Sequence, residues 1–177
     1  ASWVALHSRR YMHRYGVTNA DFGVVSVVDR LHAATNPDAW FFEKPITLED
    51  HQASRWIIEP VLRLLDCCQE SDGGVALVVT SAERARDLRQ PPAVIRAAVQ
   101  GAAYDAETTT AYYRDDLTGL ADMAVAAEKL WAAADLTPDD IDTAFLYDHF
   151  TPLVFMQLEE LGFCGRGEAK DFATIEN

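Results

Sequence analysis

The chain has 177 residues, of which 49% are hydrophobic, and a formal net charge of −13 at pH 7. This apolar content can form a sizeable core and excludes a disordered or fibrous protein. The negative charge argues against nucleic acid or an anionic membrane as a partner, because both would repel an acidic surface. The longest apolar runs, at residues 75–79 and 153–156, are far shorter than the roughly 20 residues of a membrane span.

The three cysteines, Cys67, Cys68 and Cys164, are an odd number, and their spacing suits neither a disulfide framework nor a zinc cluster. We see no secretory signal peptide, although the chain starts at Ala1 without an initiator methionine and could be part of a longer protein. We therefore expect reduced thiols that are buried as small side chains, and a cytoplasmic location.

The first third of the chain is predicted to be helical. Apolar residues at helical spacing predict one helix from near Trp3 to Gly16 and a second helix that Asn19 caps. Residues 36–45 are aromatic and turn-rich, and predict an excursion from the core. Thr47-Leu48-Glu49-Asp50 resembles a capping box, which predicts another short helix.

Two strands are predicted in the middle of the chain. The Val-rich run Gly74–Thr80 suits a strand that is buried on both faces, and Ser81 can cap a following helix over Ala82–Leu88. Residues Ala93–Tyr104 predict a second long strand. We place a boundary between two lobes at the intervening Pro91-Pro92.

The last third alternates helix and strand. The apolar stripe from Leu120 to Ala134 predicts a helix, and Thr137-Pro138 predicts a short helix before a strand at Thr143–Tyr147. A helix is then predicted from Thr151 to Glu160. Strands that alternate with helices predict a mainly parallel sheet of the α/β class.

Polar, titratable residues are concentrated in one turn, Tyr147-Asp148-His149-Phe150, after the last predicted strand. Open α/β sheets place ligands and catalytic groups at this end of their strands. A structural interpretation is equally compatible with the position, with Tyr147 packed by its ring, Asp148 capping the helix and His149 exposed. The pattern alone does not decide between the two.

Other candidate sites have ordinary alternatives. Arg9, Arg10 and Arg14 could bind the phosphates of a CoA ester or form a solvated helix face. The aromatic residues 40–42 and 112–113 fit an apolar pocket, a protein interface or core packing equally well. The remaining histidines lack the spacing of a metal site, and we assign them no chemistry: His7, His13, His32 and His51.

The segment from Asp140 to Phe163 resembles the strand–turn–helix of thiolases, in which the turn carries an Asn-Glu-Ala-Phe motif; here it reads Tyr147-Asp148-His149-Phe150. The chain is similar over almost its whole length to the lipid-transfer-protein (SCP-x thiolase-like) branch of the thiolase superfamily. Within that branch it most resembles the steroid side-chain-cleaving aldolases of actinobacteria. The same resemblance is carried by four further segments: residues 11–16, 54–60, 65–68 and 71–74.

The resemblance implies an α/β thiolase-like fold with αβαβα layers, of which this chain would be an interior piece. Residues 1–90 would form the helical loop domain and the end of the N-terminal half, and residues 91–177 the start of the C-terminal half. The cysteines of a true thiolase would lie outside this chain, and none of the three present cysteines falls at their positions.

The resemblance also implies a function, the retro-aldol cleavage of a steroid β-hydroxyacyl-CoA to a 17-ketosteroid and propionyl-CoA. The change from asparagine to Tyr147 favours proton transfer over acyl transfer, because it supplies a phenol. One alternative is a thiolase, an acetyl-CoA acyltransferase with a covalent cysteine. Another is a non-catalytic lipid-transfer or scaffold subunit.

Site residues and partners follow from the same comparison. The catalytic candidates are Tyr147, Asp148 and His149. The candidates for binding substrate or CoA are Arg10, Arg14 and Phe150. The resemblance implies no cofactor beyond the CoA thioester and no metal ligand in this chain. It implies a homodimer and an OB-fold, zinc-ribbon partner protein.

Overall fold

The computed structural model describes residues 1–104 and 114–175, so the predicted aromatic pair at 112–113 lies outside the described residues. Helices form most of the regular structure: α1 (Ser2–Tyr15), α2 (Asn19–Thr35), α3 (Leu48–Ala53), α4 (Ala82–Ala85), α5 (Ala121–Ala134), α6 (Thr151–Glu160) and α7 (Ala169–Phe172). Short 3₁₀ turns span Leu64–Asp66 and Pro138–Asp140. None of these helices is both long and apolar enough to cross a membrane.

The predicted helices are largely confirmed, and local signals explain their ends. Gly16 ends α1 in a left-handed conformation with φ of 69°, which glycine adopts without steric cost. The cap of α2 is Thr18 and not Asn19, whose side chain is buried elsewhere. The Thr18 backbone N–H and hydroxyl both donate to the Asp21 carboxylate, at 2.7 Å each. This reciprocal pairing defines the start of the helix.

The main core lies where α1 and α2 pack against α6. Phe155 and Met156 of α6 are fully buried, and the Phe155 ring meets Phe22 of α2 edge to face at 5.4 Å. The Tyr11 hydroxyl of α1 donates to the buried carboxyl of Glu159. Helix α6 is therefore fixed along its length, and the turn before it is held by the same packing.

The three predicted strands are wrong as local structure in the described residues. The segments Gly74–Thr80, Ala93–Tyr104 and Thr143–Tyr147 form no strand, and many of their apolar side chains lie in solvent, with Val75 93% and Phe145 99% exposed. A strand needs a neighbouring strand to pair its backbone groups, and no described strand pairs with these three. The predicted helix 82–88 is also shorter, since α4 ends at Ala85.

The sheet that does form among the described residues was not predicted. Strands β1 (Trp56–Ile58) and β2 (Leu62–Arg63) make an antiparallel hairpin. It leads directly into the 3₁₀ turn Leu64–Asp66 and then to residues 67–68, which contact the Tyr147–Phe150 turn. The hairpin thus places a second segment against the predicted site.

Candidate functional site

The Tyr147–Phe150 turn is fixed by backbone contacts with residues 67–68. Cys67 and Phe150 form an antiparallel bridge, and the Cys68 N–H donates to the His149 carbonyl at 3.0 Å. A single bridge of this kind aligns two chains without making a sheet. The turn is therefore held between α6 on one side and residues 67–68 on the other.

The backbone of Tyr147 is also held by one amide side chain of α6. Gln157, which is buried, accepts from the Tyr147 N–H at 3.3 Å and donates to the Tyr147 carbonyl at 2.7 Å. The phenol itself remains 69% exposed. The fold thus fixes the main chain and leaves the reactive group accessible.

The rings of Tyr147 and His149 are stacked, with their centroids 4.3 Å apart and an interplanar angle of 19°. The Phe150 ring meets His149 edge-on at 5.5 Å. The Nδ1 atom of His149 is shielded from solvent and has no hydrogen-bond partner within the described part of the chain. Because an unpaired buried polar atom is costly, this nitrogen is a candidate to bind or exchange a proton with a ligand.

Asp148 takes a different direction from its two neighbours. The N-cap position of α6 belongs to Phe150, so the structural interpretation of Asp148 as the helix cap is wrong. Its carboxyl instead interacts with Asp29 of α2, and both line a cavity that Tyr147 and His149 do not line. The turn brings together a tyrosine and a histidine on one side and an aspartate on the other.

The predicted CoA-binding residues do not all lie together. Arg10 and Arg14 line a separate cavity of about 220 Å³, whose other walls include Asp115 and Asp116. Phe150 is half-buried and packs against the apolar core. The structure therefore groups the two arginines but separates them from Phe150.

A buried network behind the turn was not found from the sequence. Asp66 is almost fully buried, and its Oδ1 accepts from the Thr151 hydroxyl at 2.6 Å and pairs with His51 Nε2 at 2.8 Å. Its Oδ2 accepts from the Asn19 amide and the Arg63 N–H, both at 2.7 Å. This carboxyl joins α2, α3 and the hairpin to the first residue of α6.

No sequence signal pointed to Asp66, because its partners are distributed from residue 19 to residue 151. His51 was given no chemistry, and the structure places it at 0% exposure in this network. The network reaches Thr151, the residue that follows the turn. We interpret it as the support of the site.

The cysteines differ in environment. Burial raises the pKa of the Cys67 thiol, and it raises that of Cys164 to about 11. A protonated thiol is a poor nucleophile, so these two are inert at neutral pH. The prediction that all three cysteines are buried is wrong for Cys68, which is exposed, and holds only in part for Cys67 and Cys164, which are half-buried. Cys68 contacts the turn through its backbone N–H.

The sequence matches known proteins along its whole length. Residues 101–177 match the family described as thiolase C-terminal domain-like. The chain is 66% identical over 177 residues to a steroid side-chain-cleaving aldolase of Thermomonospora curvata, and covers 45% of that relative. It is 64% identical over 172 residues to the 17-hydroxy-3-oxo-4-pregnene-20-carboxyl-CoA lyase of Mycobacterium tuberculosis, which spans 97% of this chain and 44% of the relative.

More distant similarity extends to thiolases. An acetyl-CoA acetyltransferase of Methanocaldococcus jannaschii is 37% identical over 170 residues, which span 95% of this chain and 42% of the relative. A solved structure described as the Ltp2-ChsH2(DUF35) aldolase superposes with a TM-score of 0.93 at 65% identity, covering 97% of this chain and 44% of that chain. The chain thus spans less than half the length of the relatives it matches.

The similarity in fold explains why the segments 74–80, 93–104 and 143–147 have no strand partner. A thiolase-like structure contains a sheet, and these segments do not form one by themselves. The predicted fold class and the predicted resemblance are confirmed. By sequence and by structure, the chain has the thiolase-like fold and is similar over its whole length to steroid side-chain-cleaving aldolases.

Proposed function

We propose that the protein containing this chain cleaves a steroid β-hydroxyacyl-CoA by a retro-aldol reaction, giving a 17-ketosteroid and propionyl-CoA. The descriptions of the relatives as aldolase and lyase support this reaction class. The observation that carries the proposal is the exposed Tyr147 phenol stacked on His149, whose Nδ1 has no partner in the described residues. Neither group is needed for a helix cap.

The reaction requires two proton transfers. A base removes the proton of the β-hydroxyl, the Cα–Cβ bond breaks, and its electron pair moves into the thioester to form an enolate. An acid then delivers a proton to the α-carbon to give propionyl-CoA. We assign Tyr147 to one of these transfers, with His149 as the group that tunes or relays its proton, and we place Asp148 at the wall of the adjoining cavity.

The proposal is tested by incubating the purified protein with the steroid β-hydroxyacyl-CoA and measuring both products by mass spectrometry. Equal amounts of 17-ketosteroid and propionyl-CoA are expected, with no transfer of an acyl group to free CoA. Absence of both products, with and without a DUF35-type partner, would refute the reaction.

The acetyltransferase relative favours one second candidate, a thiolase reaction through a covalent cysteine. That reaction needs a thiolate nucleophile, and the thiolase cysteines would lie outside this chain. Transfer of an acyl group to free CoA, without release of a 17-ketosteroid, would favour the thiolase.

We further propose that Arg10 and Arg14 bind CoA phosphates. Hydrogen bonds from Thr118 and the charge of Arg14 hold the pKa of Asp116 below its usual value, so a carboxylate already occupies part of their cavity. Phosphate would have to compete with it. Arginine remains the side chain best suited to bind phosphate with two parallel hydrogen bonds.

Reversing both charges in an Arg10→Glu, Arg14→Glu variant is expected to raise KM for the thioester about tenfold or more with little change in kcat. The loss of one charged hydrogen bond, about 1.5 kcal/mol, is sufficient for this. Arg9→Glu is the matched control, because Arg9 is on the same helix but lines a different cavity. An equal rise in KM for the control would show that only net charge matters.

Assembly and location complete the proposal. The description of the solved relative names a DUF35 component, which supports the predicted OB-fold, zinc-ribbon partner. We propose a homodimer, a reaction without a further cofactor, and a cytoplasmic site of action; the last agrees with three free thiols.

We also propose that the two thiolase halves meet near residue 91, which the family match over residues 101–177 supports.

A further inference from the structure

We propose that the cavity between α2, the aromatic loop after it and residues 65–71, called here the α2 cavity, binds the fused rings of the substrate. This inference rests on the proposed function and adds the location of the ring system. The α2 cavity has a volume of about 390 Å³, within the roughly 300–1,000 Å³ of small-molecule sites. The sequence alone indicated only that aromatic residues 40–42 fit an apolar pocket, a protein interface or core packing equally well.

The α2 cavity has an apolar wall whose shape is fixed. Trp40, Phe41 and Ile46 line it on one side. The Arg30 guanidinium lies 3.6 Å from the centre of the Phe41 ring and donates to the Lys44 carbonyl at 2.7 Å. These contacts anchor the aromatic loop to α2, so the wall exists before a ligand binds.

Trp40 is 74% exposed even though it borders the α2 cavity. An indole that is held in solvent beside a concave apolar surface typically marks a binding site and not a core. The α2 cavity is also lined by Leu65, Cys67 and Cys68. A flat, rigid hydrocarbon can contact both sets of residues at once, which is the main source of binding energy for such a ligand.

The α2 cavity is next to the reaction centre. Asp148 in the turn and Thr151 directly after it both line the α2 cavity. Residues 67–68, which hydrogen-bond to the turn, line it as well. Rings bound in the α2 cavity would therefore contact the turn that carries Tyr147 and His149. The side chain that is cleaved could reach those two residues while the rings stay in place.

One end of the α2 cavity is polar. Asp29 and Asp148 approach each other there, and partial loss of hydration, the charge of Asp148 and a hydrogen bond with it raise the pKa of Asp29 to about 7. A carboxyl that keeps its proton near neutral pH can donate a hydrogen bond. This end can therefore donate a hydrogen bond to a single oxygen atom on an otherwise apolar ring system.

The test compares binding and turnover in the protein that contains this chain. Ala33 of α2 lines the α2 cavity, so Ala33→Trp fills it. Calorimetry with the 17-ketosteroid product is expected to show a dissociation constant at least tenfold higher than in the wild type. Leu31→Trp adds a similar indole at an exposed position of α2 that does not line the cavity, and should leave binding unchanged.

A second variant removes a contact with the ligand without filling the cavity, and so controls for a folding defect in Ala33→Trp. Trp40→Ala truncates an exposed side chain, so the melting temperature should not change, while the dissociation constant of the ketone rises about tenfold. Wild-type binding by a folded Ala33→Trp variant or by Trp40→Ala would overturn the proposal, and so would a wild-type protein that does not bind the ketone.

Turnover separates this inference from the proposed reaction. The ring-free thioester 3-hydroxy-2,3-dimethylbutanoyl-CoA has the same reacting carbons and would give acetone and propionyl-CoA. For Ala33→Trp, kcat/KM should fall at least tenfold for the steroid thioester relative to the ring-free one. If the ratio of kcat/KM for the two thioesters were unchanged in an active Ala33→Trp protein, the α2 cavity would be rejected as the ring site. The aldolase reaction would still hold. A wild type that cleaves neither thioester would reject the reaction, and ketone binding would still decide the cavity.

Discussion

Tyr147→Phe is expected to lower kcat for steroid thioester cleavage by about 100- to 10,000-fold, the usual contribution of a positioned acid or base. The substitution removes one oxygen atom from an exposed side chain, and both main-chain hydrogen bonds to Gln157 remain. The fold and KM should therefore change little. The rate is measured from the release of the 17-ketosteroid.

Tyr104→Phe is the matched control, because Tyr104 is 98% exposed and its side chain has no part in the turn. Wild-type turnover by Tyr147→Phe would show that the phenol does not transfer a proton. Equal losses in both variants would point to a general effect of removing tyrosine hydroxyls.

Isotope exchange distinguishes the two roles left open for Tyr147. An acid that protonates the enolate also removes the α-proton of propionyl-CoA in the reverse direction. If Tyr147 is that acid, Tyr147→Phe should lose the exchange of deuterium from heavy water into propionyl-CoA. If Tyr147 is the base for the β-hydroxyl, the exchange should persist while cleavage is lost.

Asp66→Ala is expected to lower the free energy of unfolding by about 3 kcal/mol or more. The variant would leave His51, the Asn19 amide, the Thr151 hydroxyl and the Arg63 N–H without their shared acceptor. Each buried polar group that loses its partner costs about 1–3 kcal/mol. Urea unfolding of both proteins measures the change, with an unaltered dependence on urea concentration showing that the comparison is valid.

Asp50→Ala controls for the loss of an aspartate that accepts hydrogen bonds at the surface. The Asp50 carboxylate accepts from the Thr47 N–H at 2.9 Å and lies in solvent. Because this is a helix-capping interaction, we expect a cost of about 1 kcal/mol. If both variants lost the same stability, the buried network would have no special role in supporting the turn.

Helices were predictable where the signals are local. The glycine after α1, the Thr47–Asp50 capping box and the proline in the first turn of α6 each act within four residues. The position of Tyr147–Phe150 before α6 was predictable for the same reason, since it depends on a boundary between neighbouring segments. Resemblance to thiolases added the fold class and the similarity to steroid side-chain-cleaving aldolases, which the comparisons confirmed.

Strands were not predictable as local structure. Val75–Val79 has the composition of a buried strand, yet in the described residues it is extended, unpaired and exposed. Composition sets how well a segment would fit a sheet, but pairing depends on whether another strand lies beside it. The relatives are more than twice as long as this chain, so similarity supplied the fold class where local structure did not.

The sequence by itself determined the helices, the position of the Tyr147–Phe150 turn and the tyrosine within it, because these depend on residues close together in the chain. Only the tertiary structure decided what surrounds that turn: the stacking of Tyr147 on His149, the separation of Asp148 toward Asp29, and the buried Asp66. The partners of Asp66 extend from residue 19 to residue 151. Contacts between such distant residues arise from packing, and no local pattern in the chain encodes them.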